Sequence, residues 1–378
     1  MKKYYLTIGL CLIAMGVNAQ WLTETSCNEQ SNKITDKAIA HLVNLESSVA
    51  VGMANAALMI DEKCGAAKLV KVNAALGGQY GSRDQQVKDL DTQNFTEQEK
   101  AWHKILAAPD EEESEIRIEM AEAYPKVPLF SLLASLSAED GDRLTKYVQE
   151  FPEYASSAYN TMSYYYAQGE YGEPDMEKAL ETVKKVFLTH DGPNAHDSMA
   201  EHYALMGDYE SAFKHQVMAL DYAAMGGSGY GVNAGIYLRQ SNKVDLTDSL
   251  KTMTKKRIAF QMENDIENLA QFYSEDVGMI ACNSDMEPCV FYETLEEEDL
   301  GIVWNRWDVS DLKVYFSPDM RVAVTTFNND GEYTVSGSDT PVAYKTRASE
   351  VWTLDNGWKL MHSNFAPLAF GSGIPKTE

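Results

Sequence analysis

The chain has 378 residues, 44% of them hydrophobic and 24% charged, which excludes a disordered or collagen-like polymer and provides enough apolar material for more than one core. Fifty-seven acidic side chains against 32 basic ones leave a net charge of −25, spread over both halves of the chain. Such a field repels phosphate backbones, so nucleic acid is excluded as a natural partner.

Residues 1–19 read as a signal peptide. Lys2 and Lys3 supply a positive start, Tyr4 to Val17 a short apolar stretch, and Val17-Asn18-Ala19 the small residues of a cleavage site before Gln20. The alternative is a membrane anchor, but fourteen residues fall short of the roughly 18–20 that a spanning helix needs. Leu10 is too large for the position before a lipidated cysteine, so Cys11 is not read as an anchor either. The expectation is a periplasmic or secreted protein, cleaved after Ala19, with no membrane span.

Export makes disulfides expected. The remaining cysteines are Cys27, Cys64, Cys282 and Cys289, an even number in an oxidising compartment. Cys282 and Cys289 flank a turn-rich hexapeptide, which favours local pairing and leaves Cys27 with Cys64, although four cysteines allow three connectivities. No Cys-x2-Cys pair or neighbouring histidine completes a tetrahedral set, so neither a metal nor a cofactor is expected.

Between Asn28 and about Gln240 apolar residues recur every three and four positions, as at Leu144, Tyr147, Val148 and Phe151, and Gly, Pro and Asp clusters interrupt them. The acids after Pro109 read as a helix start, where they oppose the positive end of the dipole. Gly226 to Gly231 lacks the spacing of a phosphate loop and reads as a helix stop. His196, His202 and His215 do not share one helical face and read as surface or inter-repeat groups.

Two segments repeat with glycines 38 residues apart. One runs from Ser163 through Gly169 to Ala179 and Leu180, the other from Asp197 through Gly207 and Ala212 to Leu220. This pattern resembles the tetratricopeptide repeat, which stacks antiparallel helix pairs into a solenoid. An irregular bundle containing two similar hairpins is the alternative. The resemblance implies a groove for a protein or peptide partner, with Tyr164, Tyr166, Glu201 and His202 as its candidate lining. The helical-repeat domain is expected over residues 28–245.

The texture changes near Lys251. Residues 251–273 remain helical, and β-branched and aromatic runs follow at 277–280, 312–316, 320–327, 333–335, 342–354 and 358–363. Turn signals at Ser317-Pro318-Asp319, Asn328-Asn329-Asp330-Gly331 and Asp355-Asn356-Gly357 separate them. This is an α+β domain rather than a continuation of the helical array.

Ile266 to Val277, followed by Glu350 to His362, resembles the SnoaL-like branch of the nuclear-transport-factor-like superfamily over about residues 251–370. The resemblance implies a cone in which a curved sheet wraps a helix around a small apolar pocket. Its candidate lining is Tyr273, Trp304, Tyr344, Glu350, Trp352, His362 and Asn364. Strand alternation puts Tyr344, Glu350 and Trp352 on one face, and His362 and Asn364 on the face of Trp358 and Leu360. A cone lined this way suits a small apolar ligand. The alternatives are an isomerase or cyclase using Glu350 or His362 as base, and a module that makes a homodimer.

The expected protein is thus an all-α helical-repeat solenoid followed by an α+β cone, and its expected work is binding rather than catalysis.

Overall fold

A computed structural model describes residues 20–73 and most of the chain beyond them. The exceptions are 75–82, 138–140, 224–227, 274–277, 284–288, 293–301, 336, 355–356 and 369–378, as well as 1–19. The leader, the Gly77-Gly78 break, Gly226-Gly227 and the Asp355-Asn356 turn therefore lie outside the described residues. The chain divides into two compact units, 1–234 and 235–378.

Among the described residues the first unit is built from helices: α1 (Glu29–Val43), α2 (Ser47–Ile60), α3 (Gly65–Asn73), α4 (Arg83–Lys88), α5 (Glu97–Leu106), α6 (Asp110–Ala123), α7 (Pro128–Ser137), α8 (Gly141–Glu150), α9 (Ser156–Gln168), α10 (Met176–Lys184), α11 (Pro193–Leu205) and α12 (Tyr209–Tyr222). Helix α13 (Ser228–Ser241) crosses from one unit's residues to the other's, and α14 (Lys243–Met262) and α15 (Ile266–Ala270) follow. Gly229 and Gly231 lie inside α13, so the glycine-rich stretch read as a helix stop instead runs into a helix.

Local chemistry sets the helix starts. Asn28, Thr96, Asp175 and Asp208 each accept a backbone N–H of the first turn they precede, and Thr96 with Glu99 completes a reciprocal capping box. Four acids open α6, as its sequence predicts. The core of the unit gathers Leu22, Ile39, Leu69, Trp102, Phe130 and Leu144, all nearly solvent-free. Cys27 and Cys64 are bonded and tie the segment before α1 to the start of α3.

The repeated segments are the pairs α9/α10 and α11/α12. Ala179 and Ala212 are fully buried, as close helix packing requires. Gly169 and Gly207 follow the first helix of each pair at φ 84° and 80°, a left-handed turn that L side chains avoid. Gly207 has open space around the position of a Cβ, so its role is conformational and not packing.

The second unit carries a six-stranded mixed sheet that does not close: β1 (Met279–Asn283), β2 (Val290–Tyr292), β3 (Ile302–Phe316), β4 (Val322–Val335), β5 (Val342–Leu354) and β6 (Trp358–Pro367), in the order β2-β1-β6-β5-β4-β3. The β1/β6 pairing is parallel and the others antiparallel. Cys282 and Cys289 are bonded. Helix α14 buries Leu250, Thr254, Arg257 and Ile258 against one face of the sheet.

The turn expected at Asn328 to Gly331 is strand. Each turn-forming residue there has a cross-strand partner instead: Asn329 accepts from Trp307 Nε1 at 2.7 Å and donates to Thr346 Oγ1 at 3.0 Å, and Asp330 pairs with Arg306 and Lys345. At Gly331 a Cβ would stand 2.6 Å from the Arg306 carbonyl oxygen, so glycine serves a close strand approach beside the bulge at Trp304/Arg306. Residues 302–311, where no strand was expected, supply that partner strand.

Candidate functional site

In the second unit, Tyr344, Thr346, Ala348, Glu350 and Trp352 alternate inward along β5, as expected. Trp304 and Tyr344 belong to one aromatic cluster with Trp307, Tyr333 and Phe365, and Trp352 to another with Phe272, Trp358 and Leu360. Trp304 and Trp307 pack with their rings tilted by 37° and centroids 4.1 Å apart. These rings fill one another's space as a core does.

Between the two clusters lies a polar group. Glu350, fully buried, accepts from Arg257 Nη2 at 2.5 Å through Oε1 and from Thr325 Oγ1 at 3.1 Å through Oε2. Trp352 Nε1 donates to Thr325 Oγ1 at 3.2 Å, and Arg257 Nη1 donates to Gln261 Oε1 at 2.8 Å. Tyr273, partly buried, also touches Arg257. Burial pushes the Glu350 carboxyl above its ordinary value, with Arg257, Thr325 and Trp352 opposing. Burial works against the Arg257 charge, and Glu350 and Tyr273 more than reverse it. Both carboxylate oxygens are engaged, which makes Glu350 a strut between helix and sheet and not a free base.

His362 and Asn364 do not share the face of Trp358 and Leu360. The register passes from Val351 opposite His362 to Trp352 opposite Leu360, so Met361 is an extra residue, and beyond this bulge Ser363 and Phe365 turn inward. His362 therefore lies on the opposite face from Glu350, and Asn364 is exposed beside a depression of about 330 Å³ shared with Asp311, Thr326, Asn328 and Arg347. The seven residues expected to line one pocket are divided between the two faces of the sheet.

In the first unit, Tyr164 of α9 donates its hydroxyl to Glu201 of α11, and both are half-buried. Asp197, one turn before Glu201, accepts from Gln216 Nε2 at 2.6 Å. Burial raises the Asp197 carboxyl above its ordinary value, and burial with Glu201 raises the Tyr164 hydroxyl. Helices α9 and α11 thus contribute to one acidic seam. Tyr166 points elsewhere, packing at a tilt against Tyr171 under the Lys178 ammonium. His202 is fully buried, bonded through Nε2 to Ser163 Oγ at 2.8 Å, so it belongs to the packing between repeats rather than to a groove. Burial pushes it down to about 4, which keeps it neutral.

Two other polar groups stand out. His196 and His215, read as surface or inter-repeat groups, instead meet within one helix pair, from α11 and α12, Nδ1 to Nδ1 at 3.1 Å, with Asp191 on the Nε2 of His196 at 3.0 Å. His41, near the end of α1, meets Glu46 at 2.5 Å, and His190 meets the other oxygen of Glu46 at 3.0 Å. Burial of Glu46 is outweighed by His190 and His41, which hold its carboxyl below the ordinary value. Glu46 and His190 stand 144 residues apart, and no spacing rule joins them.

No family model matches the chain, and no curated protein matches it. Several solved structures resemble parts of it. An NTF2-like protein from Cytophaga hutchinsonii is 18% identical over 32% of this chain and 97% of its own, with a TM-score of 0.28. A thermophilic TPR protein from Thermus thermophilus is 14% identical over 55% of this chain and 98% of its own, with a TM-score of 0.25.

Proposed function

We propose that the chain is an exported, non-catalytic binding protein. Its first unit is read as a tetratricopeptide-like array that holds a protein or peptide partner, and its second as a cone-like module of the SnoaL type. Export is supported by the two disulfides.

The observation that carries the binding reading is the seam of Tyr164, Asp197 and Glu201. It is polar, half-buried and acidic, and it runs from the first helix of one repeated pair to the first helix of the next. Aromatic and acidic groups in partly desolvated positions suit a peptide that brings a lysine or arginine. Catalysis with Glu350 or His362 as base is disfavoured, because both Glu350 oxygens are already engaged by Arg257 and Thr325, and His362 lies on the opposite face of the sheet from the buried aromatic groups.

Fluorescence anisotropy with labelled peptides, lysine- and arginine-rich against glutamate-rich, tests the reading. The basic set should bind in a salt-sensitive manner, and Glu201→Lys should abolish binding without unfolding the protein. Equal binding of both sets, or binding untouched by Glu201→Lys, would overturn it.

A further inference from the structure

We propose that His41, Glu46 and His190 form a binding site for a divalent transition-metal cation of the zinc class. The three residues come from the last turn of α1, the residue before α2 and the segment before α11. Their ligand-capable atoms all lie within 4.8 Å of one another. The Glu46 side chain is fully buried, His190 is 8% exposed and His41 is 24% exposed.

The donor set selects the cation. Two imidazole nitrogens and one carboxylate oxygen suit zinc, cobalt and nickel, whereas calcium and magnesium want six or more oxygens. Three protein donors leave a position for water, and the partial exposure of His41 gives that position an approach.

The surroundings are arranged as a ligand set requires. The Asn194 backbone N–H donates to Glu46 Oε1 at 3.2 Å, fixing the carboxylate from behind. The rings of His41 and His190 meet edge to face at 5.1 Å, so both nitrogens converge on the carboxylate from different sides. Gly192 closes the site, since a Cβ there would stand 2.3 Å from Glu46 Oε1 and 2.7 Å from His190 Nε2. In the geometry described, His41 Nδ1 meets Glu46 Oε2 and His190 Nε2 meets Glu46 Oε1, and a cation would replace these two hydrogen bonds by bonds to both nitrogens and to the carboxylate.

The test is calorimetric titration of the purified, tag-free protein with zinc alone, after chelator treatment, with cobalt absorption as a second readout. Zinc should bind as a single equivalent, and cobalt should give the visible bands of a low-symmetry nitrogen and oxygen site. His41→Ala and His190→Gln should each weaken zinc by more than about tenfold, while His196→Ala should bind as the parent does. His41 sits at the rim, so its variant is expected to stay folded, as circular dichroism would verify. Absence of zinc uptake by the parent would overturn the site. So would a folded His41→Ala protein that binds zinc unchanged, or loss of binding in His196→Ala.

Discussion

Glu46 in the helical unit and Glu350 in the sheet unit face the same physical difficulty, and their solutions differ. Each is a carboxylate removed from water, which is costly unless something compensates. Glu350 meets Arg257, whose charge is permanent, and joins one helix to one strand. Glu46 meets two histidines and the first turn of α11. A third, Glu99, is held by backbone and hydroxyl donors: it accepts from the backbone of Ser26, Ala66 and Thr96 and from the Ser26 hydroxyl. Compensation by a guanidinium, by imidazole rings and by amides should respond differently to mutation.

The largest effect is expected at Arg257. Arg257→Ala leaves Glu350 buried and unpaired and should cost about 3–5 kcal/mol, read as a lower urea midpoint for the sheet unit with the helical unit unchanged. Replacing both partners by apolar residues, Arg257→Met with Glu350→Leu, should recover most of that loss, because two desolvated charges are removed together. If the double variant is no more stable than the single one, the pair does more than compensate itself.

A smaller effect is expected at Glu99. Glu99→Ala orphans donors in three places and should cost about 2 kcal/mol in the helical unit, with little dependence on salt. A strong salt dependence would show that an unrecognised cation shares the site.

The subtlest effect is in pH. The Glu46 carboxyl is held below its ordinary value, so its contribution is present above the usual carboxylate range and is lost as pH falls through its folded value. The Glu350 carboxyl is raised, so its contribution has the opposite sign, present at low pH and lost as pH rises through its folded value. Amide exchange followed from neutrality to pH ~4 should therefore show protection falling around Asn194 in the parent. Glu46→Gln should lose that pH dependence and the sheet unit should not share it. An identical trend in both units would erase the distinction.

Much of the architecture was legible because it rests on local chemistry. The helix start at the acids after Pro109, the two similar helix pairs α9/α10 and α11/α12 and the inward alternation along β5 are each encoded within a few residues. What failed depended on partners far along the chain. Asn328 to Gly331 carry turn residues, and only β3, of which residues 302–311 were not expected to be strand, explains why they are strand. A single bulge at Met361 reversed the faces of His362 and Asn364, and no pattern in β6 announces it. The Arg257–Glu350 pair spans 93 residues, so Glu350 was visible as a buried acid on an aromatic face while its partner was not.

The two borders of the sheet carry a consequence for how this protein behaves when concentrated. Unpaired strand borders are templates on which other chains can add, and the route leads to fibres. Here one border is β2, only three residues long and tethered through the Cys282–Cys289 bond beside it. The other, β3, is long but interrupted by two bulges and studded with Arg306, Asp308, Asp311 and Lys313 on its exposed positions. Both borders are poor templates, so the sheet should resist amyloid-like polymerisation even at high protein concentration.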